Sequence, residues 1–130
     1  MTLLDRKDCD DADRTIPDRF RDAMEGLDAD LLADIYAEEV VVWHSHDEIE
    51  QSRDEAVATA RAFLATLGRC KVERSALLRT ETGFVQQHRL VGERVDGRPF
   101  RSAPLCIVVT VSQGKITRID EYIGLKPPAA

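Results

Sequence analysis

The spacing of apolar residues changes near Gly68, about halfway along the chain. Before this point apolar side chains recur every three or four residues, as in amphipathic helices. After it they lie in long strand-like runs separated by turn sequences such as Asp96-Gly97 and Gln113-Gly114. Helices followed by a series of strands predict an α+β domain. We expect three helices across the concave face of a strongly curved antiparallel sheet, with a cone-shaped pocket where the helices do not fill it.

Local signals place the starts of the three predicted helices. Pro17 suits the first position of the first helix. Asp28 is placed to cap the second helix. Ser52 and Glu55 have the three-residue spacing of a capping box at the start of the third.

The segment from Val40 to Asp47 combines a strand pattern with side chains that can perform chemistry. Strand side chains alternate between faces, so Val40, Val42 and His44 share one face. A histidine, whose unperturbed pKa lies close to neutrality, therefore emerges from an apolar strand surface. Two interpretations stay open at this point: a buried acid/base group, or a core histidine bonded to a backbone carbonyl.

Length and net charge limit the classes of protein to which this chain can belong. At 130 residues it has room for one domain, which we place at 15–125, with flexible tails expected at 1–14 and 126–130. The net charge is -6, and the Lys and Arg residues are scattered rather than clustered. Nucleic acid is therefore not an expected partner, because binding a phosphate backbone needs a basic surface.

The cysteines and the hydropathy pattern suggest a compartment. Cys9, Cys70 and Cys106 are far apart, and no CxxC pair occurs. This usage predicts a reduced, cytoplasmic protein without a disulfide framework. No apolar run approaches the length of a membrane span, so no membrane association is expected.

Three segments, together with the order of elements, resemble the NTF2-like superfamily, and more narrowly its SnoaL-like and ketosteroid-isomerase-like members. The segments are 37–44 (AEEVVVWH), 103–106 (APLC) and 114–122 (GKITRIDEY). The resemblance implies a cone-shaped α+β fold with a ligand pocket. It implies less about the reaction, because this fold hosts isomerases, cyclases, dehydratases, hydrolases and non-catalytic binding proteins.

The ketosteroid isomerase pattern matches this sequence at one catalytic position. The resemblance places His44 at the position of the general base. The two oxyanion donors of that family are replaced, the acid by Cys106 and the tyrosine by Phe20. Since an oxyanion donor can contribute ~3 kcal/mol or more, steroid isomerisation by the same mechanism is not predicted.

The limonene epoxide hydrolase pattern matches this sequence only in part. Its last-strand carboxylate corresponds to Glu121, whereas its arginine-aspartate pair corresponds approximately to Gln87-His88-Arg89. Glu121 supplies one of the two carboxylates, but the segment Gln87-His88-Arg89 contains no aspartate. Epoxide hydrolysis is therefore not predicted either.

The resemblance also fixes which strand residues we expect to face the pocket. His44 and Glu121 are the expected catalytic pair, with Glu121 orienting the imidazole or instead neutralising Arg89. The expected substrate-binding side chains are Gln87, Arg89, Cys106, Phe20, Tyr36 and Val108, with Ile119 and Ile123 on the same face. Trp43 and Tyr122 fall on the opposite face, which predicts a homodimer through the outer surface of the sheet.

The other histidines have less defined roles. His46 and Asp47 are expected to be solvent-facing loop residues. Strand alternation is expected to place His88 on the face away from the pocket, unless a bulge changes its direction. His44 and His46 could also ligate zinc or iron, with His88 or Glu121 completing the site. We expect no metal, because this single short match does not establish three or four convergent ligands.

Two functional hypotheses follow. The first is a small cofactor-independent enzyme, an isomerase, lyase or hydrolase, acting on a hydrophobic polycyclic or terpenoid-like molecule. In it His44 and Glu121 perform acid/base chemistry: isomerisation, hydration, dehydration or cyclisation. The second is a module that binds such a molecule without chemistry. A less favoured third is an interaction domain that uses the outer face of the sheet.

Overall fold

The computed structural model describes the backbone of residues 11–124 and the side chains of residues 16–124. Of the predicted flexible tails, 1–14 and 126–130, residues 1–10 and 126–130 lie outside the described residues, whereas residues 11–14 belong to the first helix. The helices are α1 (Asp11–Glu25), α2 (Ala29–Ile35) and α3 (Arg53–Leu64). The strands are β1 (Tyr36–His44), β2 (Glu50–Gln51), β3 (Leu67–Thr80), β4 (Gly83–Arg94), β5 (Pro99–Arg101), β6 (Leu105–Ser112) and β7 (Lys115–Ile123).

The strands form a single sheet with the order β2-β1-β7-β6-β4-β3, and β5 pairs with the end of β4. The predicted α+β class, with three helices packed on a sheet, is confirmed. The sheet is mixed rather than wholly antiparallel, because β1 runs parallel to β7. This parallel pair places the ends of the first and last strands side by side.

Two of the three predicted helix starts agree with the structure. The Asp28 side chain accepts a hydrogen bond from the Leu31 N–H, and Ser52 and Glu55 form a complete capping box. The predicted start of α1 at Pro17 is wrong, since the helix begins at Asp11 and contains Pro17. Proline removes one helical hydrogen bond, but its ring is fully buried, and this apolar burial offsets the loss.

Residues with positive φ close the turn between β6 and β7. Gln113 and Gly114 have φ values of 51° and 75°. Two successive left-handed residues match the twist of a tight hairpin, which connects β6 directly to β7. After a register shift between Thr110 and Val111, Ile107 and Glu121 are cross-strand partners.

The helices cover one face of the sheet, called here the inner face, and the opposite face is called the outer face. Buried residues of β4, β6 and the helices form a continuous core under α1 and α2. They are Ile16, Phe20, Ala23, Leu32, Ile35, Phe84, Leu90, Ile107 and Val109. Toward the ends of β1 and β7 the helices leave part of the inner face uncovered.

Candidate functional site

A cavity of about 340 Å³ lies between the helices and the inner face. Its wall is predominantly apolar. The helices contribute Phe20, Met24, Leu32, Ala56, Thr59, Ala60 and Phe63, and the sheet and its loops contribute Tyr36, Val42, His44, His46, Leu90, Phe100, Ser102, Ala103, Leu105, Ile107, Ile119, Glu121 and Ile123. The polar groups include Tyr36 at the start of β1, and His44, His46 and Glu121 near the carboxyl ends of β1 and β7.

His44 and Glu121 lie side by side at the ends of the parallel strands β1 and β7. They are register partners, and His44 Nε2 lies 3.5 Å from Glu121 Oε1. The side chains are 18% and 22% exposed, so both reach the cavity without being freely solvated. The structure thus brings together the two residues predicted as a catalytic pair.

Backbone and hydroxyl contacts of Ser45 hold the ends of these strands together. The Ser45 N–H donates to the Glu121 carbonyl oxygen, and Ser45 Oγ accepts a hydrogen bond from the Ile123 N–H; both distances are 2.9 Å. These two bonds flank the contact between His44 and Glu121. The backbones that carry the imidazole and the carboxylate are therefore held in a fixed relative position.

Burial has the largest effect on the pKa of the Glu121 carboxyl group. It raises the pKa of Glu121, and the nearby His44 and His46 oppose this with smaller effects in the other direction. Burial also raises the pKa of the Tyr36 hydroxyl, and the negative charge of Glu121 adds to that increase. Tyr36 therefore stays protonated and can donate a hydrogen bond toward the cavity.

His46 lies in the turn after β1, at the mouth of the cavity. Its side chain is 59% exposed, yet it lines the cavity, and its ring centre is 5.5 Å from that of His44. His46 Nε2 is 3.5 Å from Asp47 Oδ2. The loop placement of both residues is as expected, but the contact of His46 with the cavity was not predicted.

The prediction of which side chains of β4 and β6 face the pocket is wrong. Across the sheet, His44 is followed by Glu121, Ile107 and Gln86 as successive partners. Inner-face residues of β4 and β6 are thus Gln86, His88, Leu90, Leu105 and Ile107. Gln87, Arg89, Cys106 and Val108 lie on the outer face, because a shift of one residue moves every side chain of a strand to the other face.

Arg89 does not pair with Glu121, the partner considered from the sequence. Its Nη1 donates to the Ser102 carbonyl oxygen at 3.0 Å, on the opposite side of the sheet from Glu121. The ion pair between Arg89 and Glu121 is therefore absent. Among the described residues, the ion-pair partner of Glu121 is His44.

His88 belongs to the core rather than to the cavity wall. Its side chain is 3% exposed, it packs edge-on against Phe20, and Nδ1 lies 3.2 Å from Gln86 Nε2. Burial lowers the pKa of His88 to about 4, so the ring is neutral at neutral pH. Gln86 Oε1 is buried without a hydrogen-bond partner among the described residues.

The expected residues Phe20 and Tyr36 both line the cavity. Several lining residues were not predicted, above all Thr59, Phe63, Phe100 and Ser102. The helical pattern marked Phe63 as apolar but gave no sign that it lies beside a cavity. Among residues 16–124, no cluster of three or more His, Cys, Asp or Glu side chains is arranged to hold a metal ion.

The SnoaL-like domain model matches residues 18–119, most of the chain, and the protein belongs to this family. No curated protein matches the sequence significantly. No helix of the described residues is long and apolar enough to cross a membrane.

Solved structures with the same fold come from bacteria and fungi. AusH from Aspergillus nidulans has a TM-score of 0.76 at 11% identity, covering 89% of this chain and 86% of its own. An NTF2-like protein from Anabaena variabilis has a TM-score of 0.74 at 16% identity, with coverages of 91% and 95%. A hypothetical protein of ketosteroid-isomerase-like fold from Catenulispora acidiphila, in complex with trimethylamine, has a TM-score of 0.72 at 15% identity, with 85% coverage of each chain. At these identities the likeness concerns the fold.

Proposed function

We propose that the protein is a small cofactor-independent enzyme that performs acid/base chemistry on a hydrophobic small molecule, polycyclic or terpenoid-like, held in the cavity. The observation that carries this proposal is the contact between His44 and Glu121 on a predominantly apolar wall. A titratable pair in a mainly apolar pocket is the usual form of an acid/base site.

In the proposed mechanism His44 exchanges a proton with the ligand. A proton on Nε2 faces Glu121, which leaves Nδ1 to accept a proton from a carbon next to a carbonyl or from water. The imidazolium formed in this step lies beside the carboxylate, which stabilises its charge. Returning the proton to another atom of the ligand completes an isomerisation, and returning it to a hydroxyl leaving group completes a dehydration.

The apolar wall supports a hydrophobic ligand. Met24, Leu32, Val42, Ile107 and Ile119 line the same cavity as the acid/base pair and offer apolar surface to a ligand. At about 340 Å³ the cavity lies near the lower end of the usual size of small-molecule sites, ~300–1,000 Å³. This size favours a compact ring system over a long chain.

A direct test is proton abstraction from 2-tetralone in D₂O, followed by NMR as loss of the α-proton signals. We expect exchange above the buffer rate for the unaltered protein. We expect a loss of ~10²-fold or more for His44→Gln, since acid/base catalysis contributes about that much. Glu121→Gln keeps the shape of the side chain and should cause an intermediate loss, because it removes only the charge that stabilises the imidazolium.

His46→Gln is the matched control, because it removes an exposed imidazole of the same cavity. It should retain most of the exchange activity. If His46→Gln is inactive and His44→Gln is active, the assignment of the base is wrong. If 2-tetralone binds but does not exchange above the buffer rate, the alternative, a non-catalytic binding module, is supported.

We propose in addition that two copies associate through the outer face. Trp43 and Tyr122 stack edge-on there, with ring centres 5.2 Å apart, and Tyr122 is 50% exposed. Exposed aromatic side chains on a sheet face commonly mark an interface. For the compartment we propose the cytoplasm, supported by the free thiols of Cys70 and Cys106.

A further inference from the structure

The cavity wall contains one fully charged side chain and no opposite full charge. Glu121 is its carboxylate, and none of the lining residues of the described chain is a lysine or an arginine. The other polar lining groups are Tyr36, His44, His46, Thr59 and Ser102. With neutral imidazoles the wall therefore has a net negative charge.

The hydrogen-bonding capacity of this carboxylate is largely unused. Its Oε1 lies 3.5 Å from His44 Nε2, and no side-chain or backbone donor of the described residues hydrogen-bonds to Oε2. An ionised carboxylate offers about four lone-pair sites. A buried carboxylate without an oppositely charged partner is unfavourable in its ionised form. This agrees with the raised pKa of Glu121.

We propose that this cavity selects a hydrophobic ammonium ion, whose charge pairs with Glu121 while its apolar body lies against the surrounding wall. The inference rests on the proposed function, since it takes the same cavity as the ligand site. A cation supplies the partner that the wall lacks, whereas an anionic ligand would meet the carboxylate directly. Phe20, Phe63 and Phe100 also line the cavity, and their ring faces attract cations.

Three probes of similar size separate charge from shape: benzylammonium, benzyl alcohol and benzoate. Binding is measured by NMR titration at pH 8.5, above the usual range in which imidazoles titrate. The amide signals of His44 and Glu121 report on the cavity. We expect benzylammonium to bind at least about tenfold more tightly than benzyl alcohol, and benzoate more weakly than both.

Variants locate the source of this preference. Glu121→Gln should remove the preference for benzylammonium and change the affinity for benzyl alcohol less than about twofold. Asp120→Asn is the matched control: it removes the same charge one residue away, where the side chain lies on the outer face and pairs with Arg118. It should retain the preference. His44→Leu should strengthen the binding of benzylammonium, because leucine has no donor that competes for the carboxylate.

The outcomes distinguish this inference from the proposed function. Benzyl alcohol binding as tightly as benzylammonium, or a preference that survives in Glu121→Gln, overturns the cation selectivity and leaves the cavity as a small-molecule site. No shift of the cavity amides with any of the three probes counts against both.

Discussion

His44, His46 and His88 occupy three different environments, which determine what each imidazole can do. His44 is partly buried beside a carboxylate, His46 is largely exposed at the cavity mouth, and His88 is enclosed in the core. Proton transfer to a ligand needs a ring that reaches the ligand and can change charge. His44 lines the cavity where a ligand would lie, whereas His88 is enclosed in the core and held neutral by burial.

The enclosure of His88 predicts a pH-dependent stability. Its pKa in the folded protein is about 4, below the ordinary value of 6.5, so below the ordinary value the unfolded chain binds a proton that the folded chain does not. The stabilisation by neutral His88 is therefore present above the unfolded pKa and is lost as the pH falls from about 6.5 toward about 4. Between pH 7.5 and pH 5.0 we expect His88 by itself to lower the free energy of unfolding by about 2 kcal/mol, measured as the difference in pH dependence between the unaltered protein and His88→Gln.

Urea unfolding at the two pH values measures this effect. His88→Gln lacks the titrating ring, so its stability should change less between pH 7.5 and pH 5.0 than that of the unaltered protein. His46→Gln removes an exposed histidine and should leave the pH dependence unchanged. Equal pH dependence of the unaltered protein and His88→Gln would show that the ring takes up its proton without unfolding.

At the scale of elements, β1 could be predicted from the sequence and β4 could not. In β1 the end of the strand is marked by Val42, Trp43 and His44, which differ in size and polarity, and the family motif fixes their facing. In β4 the segment from Gln86 to Arg89 places polar side chains on both faces of the strand, with one glutamine on each face. Alternation therefore gives no preferred register there, and only pairing with β6 decides it.

The cavity itself depends on distances that a pattern does not contain. Phe63 and Phe100 are far apart in sequence and meet with ring centres 5.8 Å apart beside the cavity. Their apolar character predicts burial, but not how much space remains between α3 and the part of the sheet that contains β5. The contact between His44 and Glu121 was predictable because both residues end strands of a recognisable motif.

The start of α3 allows a quantitative prediction about this element. Ser52 Oγ accepts the Glu55 N–H, and Glu55 Oε1 accepts the Ser52 N–H at 3.0 Å. Ser52→Ala removes the first bond, and the free energy of unfolding should fall by about 1 kcal/mol. Ser112→Ala, at an exposed strand end, is the control and should change stability by less than about 0.5 kcal/mol in the same denaturant titration. Equal losses in both variants would mean that the cap contributes nothing specific.

For the whole molecule, the outer face presents an apolar surface opposite the cavity. Val108 and Tyr122 are 37% and 50% exposed, and Trp43 packs against Tyr122. These residues lie on the neighbouring strands β6, β7 and β1. Asp120 is the register partner of both Trp43 and Val108 and pairs with Arg118, so the patch combines these apolar side chains with one charged pair. A net charge of -6 disfavours indiscriminate association, and such a patch in an acidic protein fits a specific, two-fold symmetric contact.

The proposed homodimer can be tested by changing this patch alone. Light scattering at micromolar concentration should report a dimer of the 14.6 kDa chain. Val108→Glu should convert it to a monomer, because two copies of the new carboxylate would be buried against each other at the symmetric contact. Val95→Glu introduces the same change at the more exposed position, 71%, at the end of the hairpin after β4, and should leave the dimer intact. A monomeric unaltered protein, or equal dissociation by both variants, would exclude the outer face as the interface.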